Sequence, residues 1–563
     1  MFTPELTEKL TKVILEAAKT VFAEKCSPEG TIFPEGTPVI LQPPRDPSNG
    51  NITTNIAMRL ASICRIPPAD FASAMVSHIR GKLAEIPSVG RVEVKGGFLN
   101  FFFEDDFFCD LLEKIYAQKD VFGRSEDGKG QHINLEFVSA NPTGPLTIAH
   151  GRQAAIGDTL SRILRFSGYK VTNEYYLNDV GRQIRMLGES LFVRYRNLTG
   201  EKDAMPDDGY MGEYMIDIAR KVLEEKGPSL KARTPETEEF FRKYAVGHIM
   251  DLIYKDLDDF GVEFDVWKPQ SDIEHGDEVR KALDLLRANG YIYDQDGAVW
   301  FASTRFGDDK DRVVVKSDGS YTYLAPDIAY HLDKYSRGFT RLIDLLGPDH
   351  HGYIKRMKAA VQAMGQDASS LDIMIVQLVT LLNAGEKLSM STRKGEFVSL
   401  REIIDEIGKD VARFFFLSRR LDSHLDFDLE LAKKESSDNP VYYIQYAHAR
   451  ICSIKAFGSD ALDKASPGGR DLSLLSTGQE KDLMRKLGEF PLAVSAAASA
   501  LEPNRLVVYL SELARAFHSF YTECRVVSDD AALSGARLFL VECVRIVLAN
   551  GLNLLNITLP EKM

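Results

Sequence analysis

The sequence has few cysteines, only two tryptophans, no long apolar run and no excess of positive charge. Its six cysteines (Cys26, Cys64, Cys109, Cys452, Cys524 and Cys543) are scattered without a C-x-x-C pair. That spacing speaks against a zinc site and against a disulfide framework, so reduced thiols in a cytoplasmic protein are expected. No stretch of about 18 consecutive apolar residues occurs, which argues against a membrane span. Residues 1–20 carry an amphipathic pattern that includes acids, unlike a secretory leader. There is no internal repeat and no low-complexity tract. The net charge of −13 excludes a generic, uniformly basic nucleic-acid binder. The acid is uneven, however. Residues 111–439 carry −10, residues 1–110 carry −3 and residues 440–563 are neutral, so the ends leave room for an RNA contact.

What is present is an ordinary soluble composition, 44% hydrophobic and 27% charged over 563 residues. That length suits about three to five domains. Residues 1–122 read as a small α/β unit, with helical patterns at 5–25 and 53–65. A hairpin is expected in GRVEVKGGFLNFFF, turning at its Gly-Gly. After a polar linker at 123–131, INLEFVSA reads as a buried strand, NPTGP as a turn and the residues from His150 as a helix ending at Gly168. VTNEYYL follows as a second strand. This βαβ unit predicts a doubly wound parallel sheet of Rossmann type over residues 131–400. A largely helical insertion is expected at about 187–290. Strand patterns return at AVWFAS, RVVVKS, RLIDLLG and IMIVQLV. Residues 401–439 read as a helical connection and 440–563 as an all-helical domain.

Three segments carry chemistry. In FVSANPTGPLTIAHGRQAAIGD (137–158), a strand passes through a Pro/Gly turn into a helix N-terminus. Such an end offers free N–H groups and the positive end of a dipole to a phosphate, although any α/β protein contains this unit. In EKLSMSTRKGEFVSL (386–400), a basic loop lies between Gly385 and Gly395. In SDGSYTYLAPDIAYHLDKY (317–335), Tyr323 and Asp327 are four residues apart and share a helical face.

These segments, with NEYYLNDVGRQI, GPDHHGYIKRM and QYAHAR, resemble the class I aminoacyl-tRNA synthetases and specifically the arginyl-tRNA synthetase family. The resemblance extends over essentially the whole chain. The family's H-x-G-H signature falls on Thr147, Ala149 and His150, of which only His150 matches. Its K-M-S-K-S loop aligns on Met390 and Ser391, with Ser389 and Thr392 where lysines are expected. Charge remains at Lys387, Arg393 and Lys394, and which of them serves the departing pyrophosphate is open. The resemblance implies catalytic roles for His150, Thr147, Arg393, Lys387 and Ser391. It implies ATP contacts at Pro142, Gly144, Thr147, His150, Gly151, Gly347, Asp349 and Met390. Arginine contacts are implied at Glu136, Asn141, Tyr323 and Asp327 and at His350 or His351. Tyr442, Tyr446 and Arg450 are expected to meet tRNA in a helical anticodon-binding domain, and residues 1–122 to contact the tRNA elbow.

The implied activity is ATP-dependent formation of arginyl-adenylate and transfer to the 3′ end of tRNA(Arg). ATP is a substrate, Mg2+ accompanies it, no structural metal is expected, and the protein is expected to be a cytoplasmic monomer. A small-molecule adenylyltransferase of the same fold would have no use for residues 1–110 or 440–563. An inactive, synthetase-like RNA binder, suggested by the altered signatures, would have no use for an arginine pocket.

Overall fold

Five parallel strands form the central sheet, in the order Leu371–Ile375, Arg341–Leu346, His132–Glu136, Lys170–Leu177 and Val266–Pro269. The computed structural model describes residues 4–26, 32–44, 46–350, 352–383, 386–387, 398–457 and 471–563. The earliest of the five strands lies in the middle, and later ones add on both sides. The order therefore reverses beside His132–Glu136, and a crevice opens at the carboxyl ends of the strands. The crossover helix Ile148–Phe166 lies on the sheet. Its Gly157 is required by that packing, because a Cβ there would stand 2.2 Å from the Phe137 ring.

Register places three carboxylates side by side. Glu136 is opposite Glu174 on one neighbouring strand and opposite Asp344 on the other. Like charges in such a row repel. Two cations from the helix Leu324–Ser336 and its C-cap offset this: Lys334 reaches Glu136 and Asp344, and Arg337 grips Glu174 with both nitrogens.

The structure corrects the sequence reading of the region between the sheet halves. The insertion is helical over Arg182–Leu198, Glu213–Lys226 and Pro235–Asp259, but Val266–Pro269 returns to the main sheet as its edge strand. AVWF and RVVV do not join that sheet. They form an antiparallel meander with Ile292–Gln295. The 401–439 connection contains a strand, Leu425–Asp428, parallel to Val379–Asn383.

In the N-terminal unit, Ile52–Thr54, Phe98–Phe103 and Val89–Lys95 form an antiparallel sheet. The hairpin turns at Gly96 and Gly97, with φ of +59° and +87°, as a two-residue turn of left-handed residues requires. The helical pattern over 53–65 resolves into the strand Ile52–Thr54 and the helix Ile56–Cys64. The expectation of six reduced thiols is overturned. Cys26 and Cys64 form a disulfide, their Cα atoms 4.6 Å apart. Each stands at the end of a helix, and the two helices pack together, a proximity that spacing along the chain does not reveal.

The C-terminal helices include Ala531–Leu555, which is long and apolar enough by composition to cross a membrane. It is instead a core helix, packed against Asp105–Gln118, Pro440–Phe457 and Asn504–Glu523. Arg413 ties this domain to the crossover helix. Its guanidinium, fully buried, donates to the carbonyls of Leu555 and Phe260 and reaches Asp158 at 2.6 Å.

Candidate active site

The central strand ends at Glu136 and the backbone then bends sharply. Val138 and Ser139 adopt φ of +67° and +38°. For a β-branched residue this conformation is strained, at a cost of about 1–3 kcal/mol per residue. The bend turns the Ser139 hydroxyl back, so that it donates to Glu136 Oε1 at 3.0 Å and accepts the Tyr176 N–H. Asn141 follows, its amide donating to Gln183 Oε1 at 2.7 Å.

At the helix N-terminus the Thr147 N–H donates to Nδ1 of His150 at 3.1 Å. His150 thus occupies the capping-box position usually held by Glu or Gln. Because Nδ1 accepts, the proton of the neutral ring sits on Nε2. Burial pushes the His150 pKa down to about 4, so the ring is a neutral donor near pH 7. The same turn is clamped from outside. Ile148 N–H donates to Val398 O at 3.1 Å and Leu400 N–H to Leu146 O at 2.7 Å. The residues that follow the basic loop are therefore fastened directly to the helix start.

Around this turn lies a cavity of about 620 Å³. It brings together Glu136, Asn141, His150, Tyr323, Asp327, Asp349, His350 and Gly347 of the expected set. Tyr323 stands at its mouth, 84% exposed. Asp327 is recessed. Burial, reinforced by Glu136, raises its pKa to about 7, against the opposing pull of His331 and a hydrogen bond from Tyr353. No cation pairs with Asp327 among the described residues. Glu136, by contrast, has one oxygen taken by Lys334 at 2.6 Å. Lys334 is wholly buried. Burial alone would lower its pKa, but the carboxylates of Asp344, Glu136 and Glu174 outweigh that and raise it. Asp344 is pushed up by burial, yet Lys334 and His331 bring it well below the usual carboxylate range.

Other expected contacts fall elsewhere. Gly151 does not leave space for a ligand: a Cβ there would lie 2.7 Å from Leu400 Cδ1 and 3.2 Å from the Phe416 ring. It is small so that the helix Leu400–Leu417 can pack against it. Pro142 is buried and lines neither this cavity nor the one beside it. Gly144 lies under the Tyr214 ring, whose hydroxyl donates to Thr143 O. Lys387 is exposed on a two-residue strand and does not line the cavity. His351, Met390, Ser391 and Arg393 lie outside the described residues.

Sequence reasoning missed His331, Lys334, Asp344, Tyr176 and Tyr353. A signal existed for two of them. Asp327, His331 and Lys334 stand at i, i+4 and i+7 and so form one polar stripe on the helix.

The family model for the class I (R) tRNA synthetase catalytic domain matches residues 112–416, more than half of the chain. The arginyl-tRNA synthetase N-terminal domain matches residues 7–103 and the DALR anticodon-binding domain residues 444–563. The chain belongs to the arginyl-tRNA synthetase family. An arginine–tRNA ligase of Syntrophotalea carbinolica is 46% identical over 99% of this chain and 100% of that protein. One of Anoxybacillus flavithermus is 47% identical over 93% of this chain and 94% of its own. The Thermus thermophilus arginyl-tRNA synthetase structure shares the fold, with a TM-score of 0.75 over 98% of this chain and all of that one, at 23% identity.

In the domain that carries the family's anticodon-binding match, Tyr446, Arg450 and Tyr442 lie half-buried on the helix Pro440–Phe457. The Arg450 guanidinium stacks over Tyr446 and Tyr521, at 5.1 and 5.4 Å from the ring centres. Tyr446 also stacks on His518.

Proposed function

We propose that this chain activates arginine with ATP and transfers it to the 3′ end of tRNA(Arg). The observation that carries this reading is Asp327: a recessed carboxyl with no cationic partner among the described residues, in a cavity where Glu136 and Asp344 are held by Lys334. A guanidinium supplies the missing charge and several N–H donors in a plane. Glu136 Oε1, which accepts the Ser139 hydroxyl, keeps a lone pair for a further donor, and Tyr323 stands at the mouth. Asn141, which donates to Gln183, is assigned to the α-amino or α-carboxylate end, and Gly347, Asp349 and His350 to the nucleoside and part of the amino acid.

In the first step an arginine carboxylate oxygen attacks the α-phosphorus of ATP, and the bond to pyrophosphate breaks. The Nε2–H of His150 stabilises charge developing on the phosphate oxygens. In the second step a terminal ribose hydroxyl of tRNA attacks the adenylate carbonyl, releasing AMP. Positioning and electrostatics carry both steps, with no covalent enzyme intermediate. Loop cations at Lys387 or Arg393, with Ser391 and Met390, are assigned to pyrophosphate release. Tyr442, Tyr446 and Arg450 are assigned to tRNA, where aromatic and guanidinium planes can stack on unpaired bases. Mg2+ enters with the ATP phosphates. Among the described residues no group of three or more His, Cys, Asp or Glu is arranged to hold a metal ion.

Arginine-dependent ATP–pyrophosphate exchange, with and without tRNA, tests this reading. Exchange in either condition supports it. Tight tRNA binding with no exchange in either condition gives the chain to the inactive RNA-binding alternative.

A further inference from the structure

The Cys26–Cys64 bond ties the ends of two helices in the N-terminal unit, and neither cysteine lines the catalytic cavity. We propose that this pair is a redox switch that sets the affinity for tRNA, opened by a dithiol reductant and closed by a disulfide oxidant. The proposal rests on the aminoacylation reading for the identity of the polynucleotide. ATP and tRNA are intracellular, and inside most cells thiols are kept reduced. A disulfide formed there is a transient or sensing bond rather than a permanent staple.

The two sulfurs differ in access. Cys26 is half-buried, just past the helix Pro4–Lys25, whereas Cys64 is buried at the end of Ile56–Cys64. A reductant thiolate therefore attacks the Cys26 sulfur. The S–S bond breaks, a mixed disulfide forms at Cys26, and Cys64 leaves as a thiolate that takes up a proton. The reductant's second thiol then displaces Cys26 and closes the reductant's own disulfide. Two electrons and two protons have reached the protein, which holds two thiols. A disulfide oxidant runs the same exchange in reverse.

What the bond holds in place is the segment over residues 33–44, which crosses both of the tied helices. Phe33 packs edge-on against Phe22 of the first helix, 5.4 Å between ring centres. Pro38 O accepts from Arg59 of the second. Gln42 exchanges both backbone hydrogen bonds with Thr53, in the strand that leads into that second helix. Leu41–Pro44 then forms one wall of a cavity of about 730 Å³, whose other wall is built from the helices Gly478–Gly488, Phe490–Ala500 and Asn504–Glu523 of the C-terminal domain. This wall faces a cavity rather than packed side chains, so it takes its position from the two helices behind it. Across the cavity Arg515 is exposed and makes no ion pair among the described residues, a free cation for a phosphate backbone at the seam. Arginine and ATP bind in the catalytic cavity. Of the three substrates only tRNA is long enough to extend from there to the N-terminal unit, so only tRNA senses the state of the bond.

Fluorescence anisotropy with labelled tRNA(Arg) measures the dissociation constant directly and does not depend on charging. The full-length protein is oxidised with glutathione disulfide, reduced with dithiothreitol and oxidised again. The expected result is a rise of at least about fivefold in the tRNA dissociation constant on reduction, the low end of coupling between two sites, and its reversal on reoxidation. KM for arginine and for ATP should stay the same in both states. Cys26→Ser and Cys64→Ser should each keep the reduced-state affinity throughout the cycle. Equal affinity in the oxidised and reduced wild type overturns the proposal, and this comparison needs no variant to fold. A redox response that survives in either serine variant also overturns it, because the response then belongs to another of the cysteines. A protein that shows the redox response but charges no tRNA in either state fails the aminoacylation reading and leaves the switch standing.

Discussion

The ammonium of Lys334 bridges Glu136 and Asp344, 2.6 Å from one carboxylate and 2.9 Å from the other, where the two face each other across neighbouring strands. The pair of acids and the lysine form one buried unit beneath the cavity floor. Lys334→Met would leave both carboxylates in low dielectric without a counter-ion. The expected loss is about 3–5 kcal/mol of stability, the range for breaking a buried ion pair from one side. Urea denaturation at pH 7 measures it, and a loss below 1 kcal/mol would mean that water reaches the unit.

Asp327 should write its pKa into arginine binding. In the free site its carboxyl titrates at about 7 because it is buried. A bound guanidinium stabilises the ionised form and lowers that value. Below pH 7, binding must therefore expel a proton, so the arginine KM should rise by about tenfold per unit as pH falls from 7 to 5.5. Above pH 7.5 it should be flat, until the substrate's own amino group titrates. Asp327→Asn should raise KM by about 2–5 kcal/mol of lost charge pairing and abolish this slope. A slope that survives in the variant belongs to another group.

His150 gives the opposite signature. Its pKa of about 4 keeps it neutral throughout pH 5.5–8, so kcat for exchange should show no histidine titration there. His150→Ala removes the Nε2 donor and should lower kcat by about 10²–10³, the usual loss for one donor to developing charge, with a smaller change in KM. An imidazole-like inflection near pH 6.5 in the wild-type profile would contradict the neutral-donor assignment.

The parts of this molecule that were legible in the sequence are those whose cause is local. The Gly96–Gly97 turn, the strand–turn–helix from His132 to Phe166 and the four-residue spacing that brings Tyr323 and Asp327 to one cavity each follow from neighbours in the chain. What escaped depends on partners far away. Val266–Pro269 is too short to announce that it pairs with Lys170–Leu177, and AVWF has the same alternation whether it enters the main sheet or a meander. Lys334 looks like a solvent-facing lysine until register brings Glu136 and Asp344 beneath it. The Cys26–Cys64 bond is invisible for the same reason.

Gly151 separates a packing role from a ligand role. Alanine there would press on Leu400 and Phe416. Overpacking of this kind costs about 1–3 kcal/mol. The helix that would have to move begins directly after the basic loop and is bonded to Leu146. Gly151→Ala should therefore lower the melting temperature and the kcat of exchange while leaving the ATP KM within twofold. A selective rise in the ATP KM would return Gly151 to the nucleotide site.

The Cys26–Cys64 bond closes a loop with a sequence separation of 38 residues between two packed helices. Chain-entropy arguments give a loop of that size about 4 kcal/mol of stabilisation, acting mainly by restricting the unfolded chain. Two results should appear together. Alkylation of the denatured, unreduced protein should modify four of the six cysteines, those outside the disulfide being Cys109, Cys452, Cys524 and Cys543. Reduction, or Cys64→Ser, should lower the stability of the N-terminal unit without moving the KM for arginine or ATP, since neither cysteine lines the catalytic cavity. Six modified cysteines before reduction would show that the two thiols are close but unbonded in the isolated protein, and the stability loss from Cys64→Ser should then shrink to that of a buried polar substitution, about 1–2 kcal/mol.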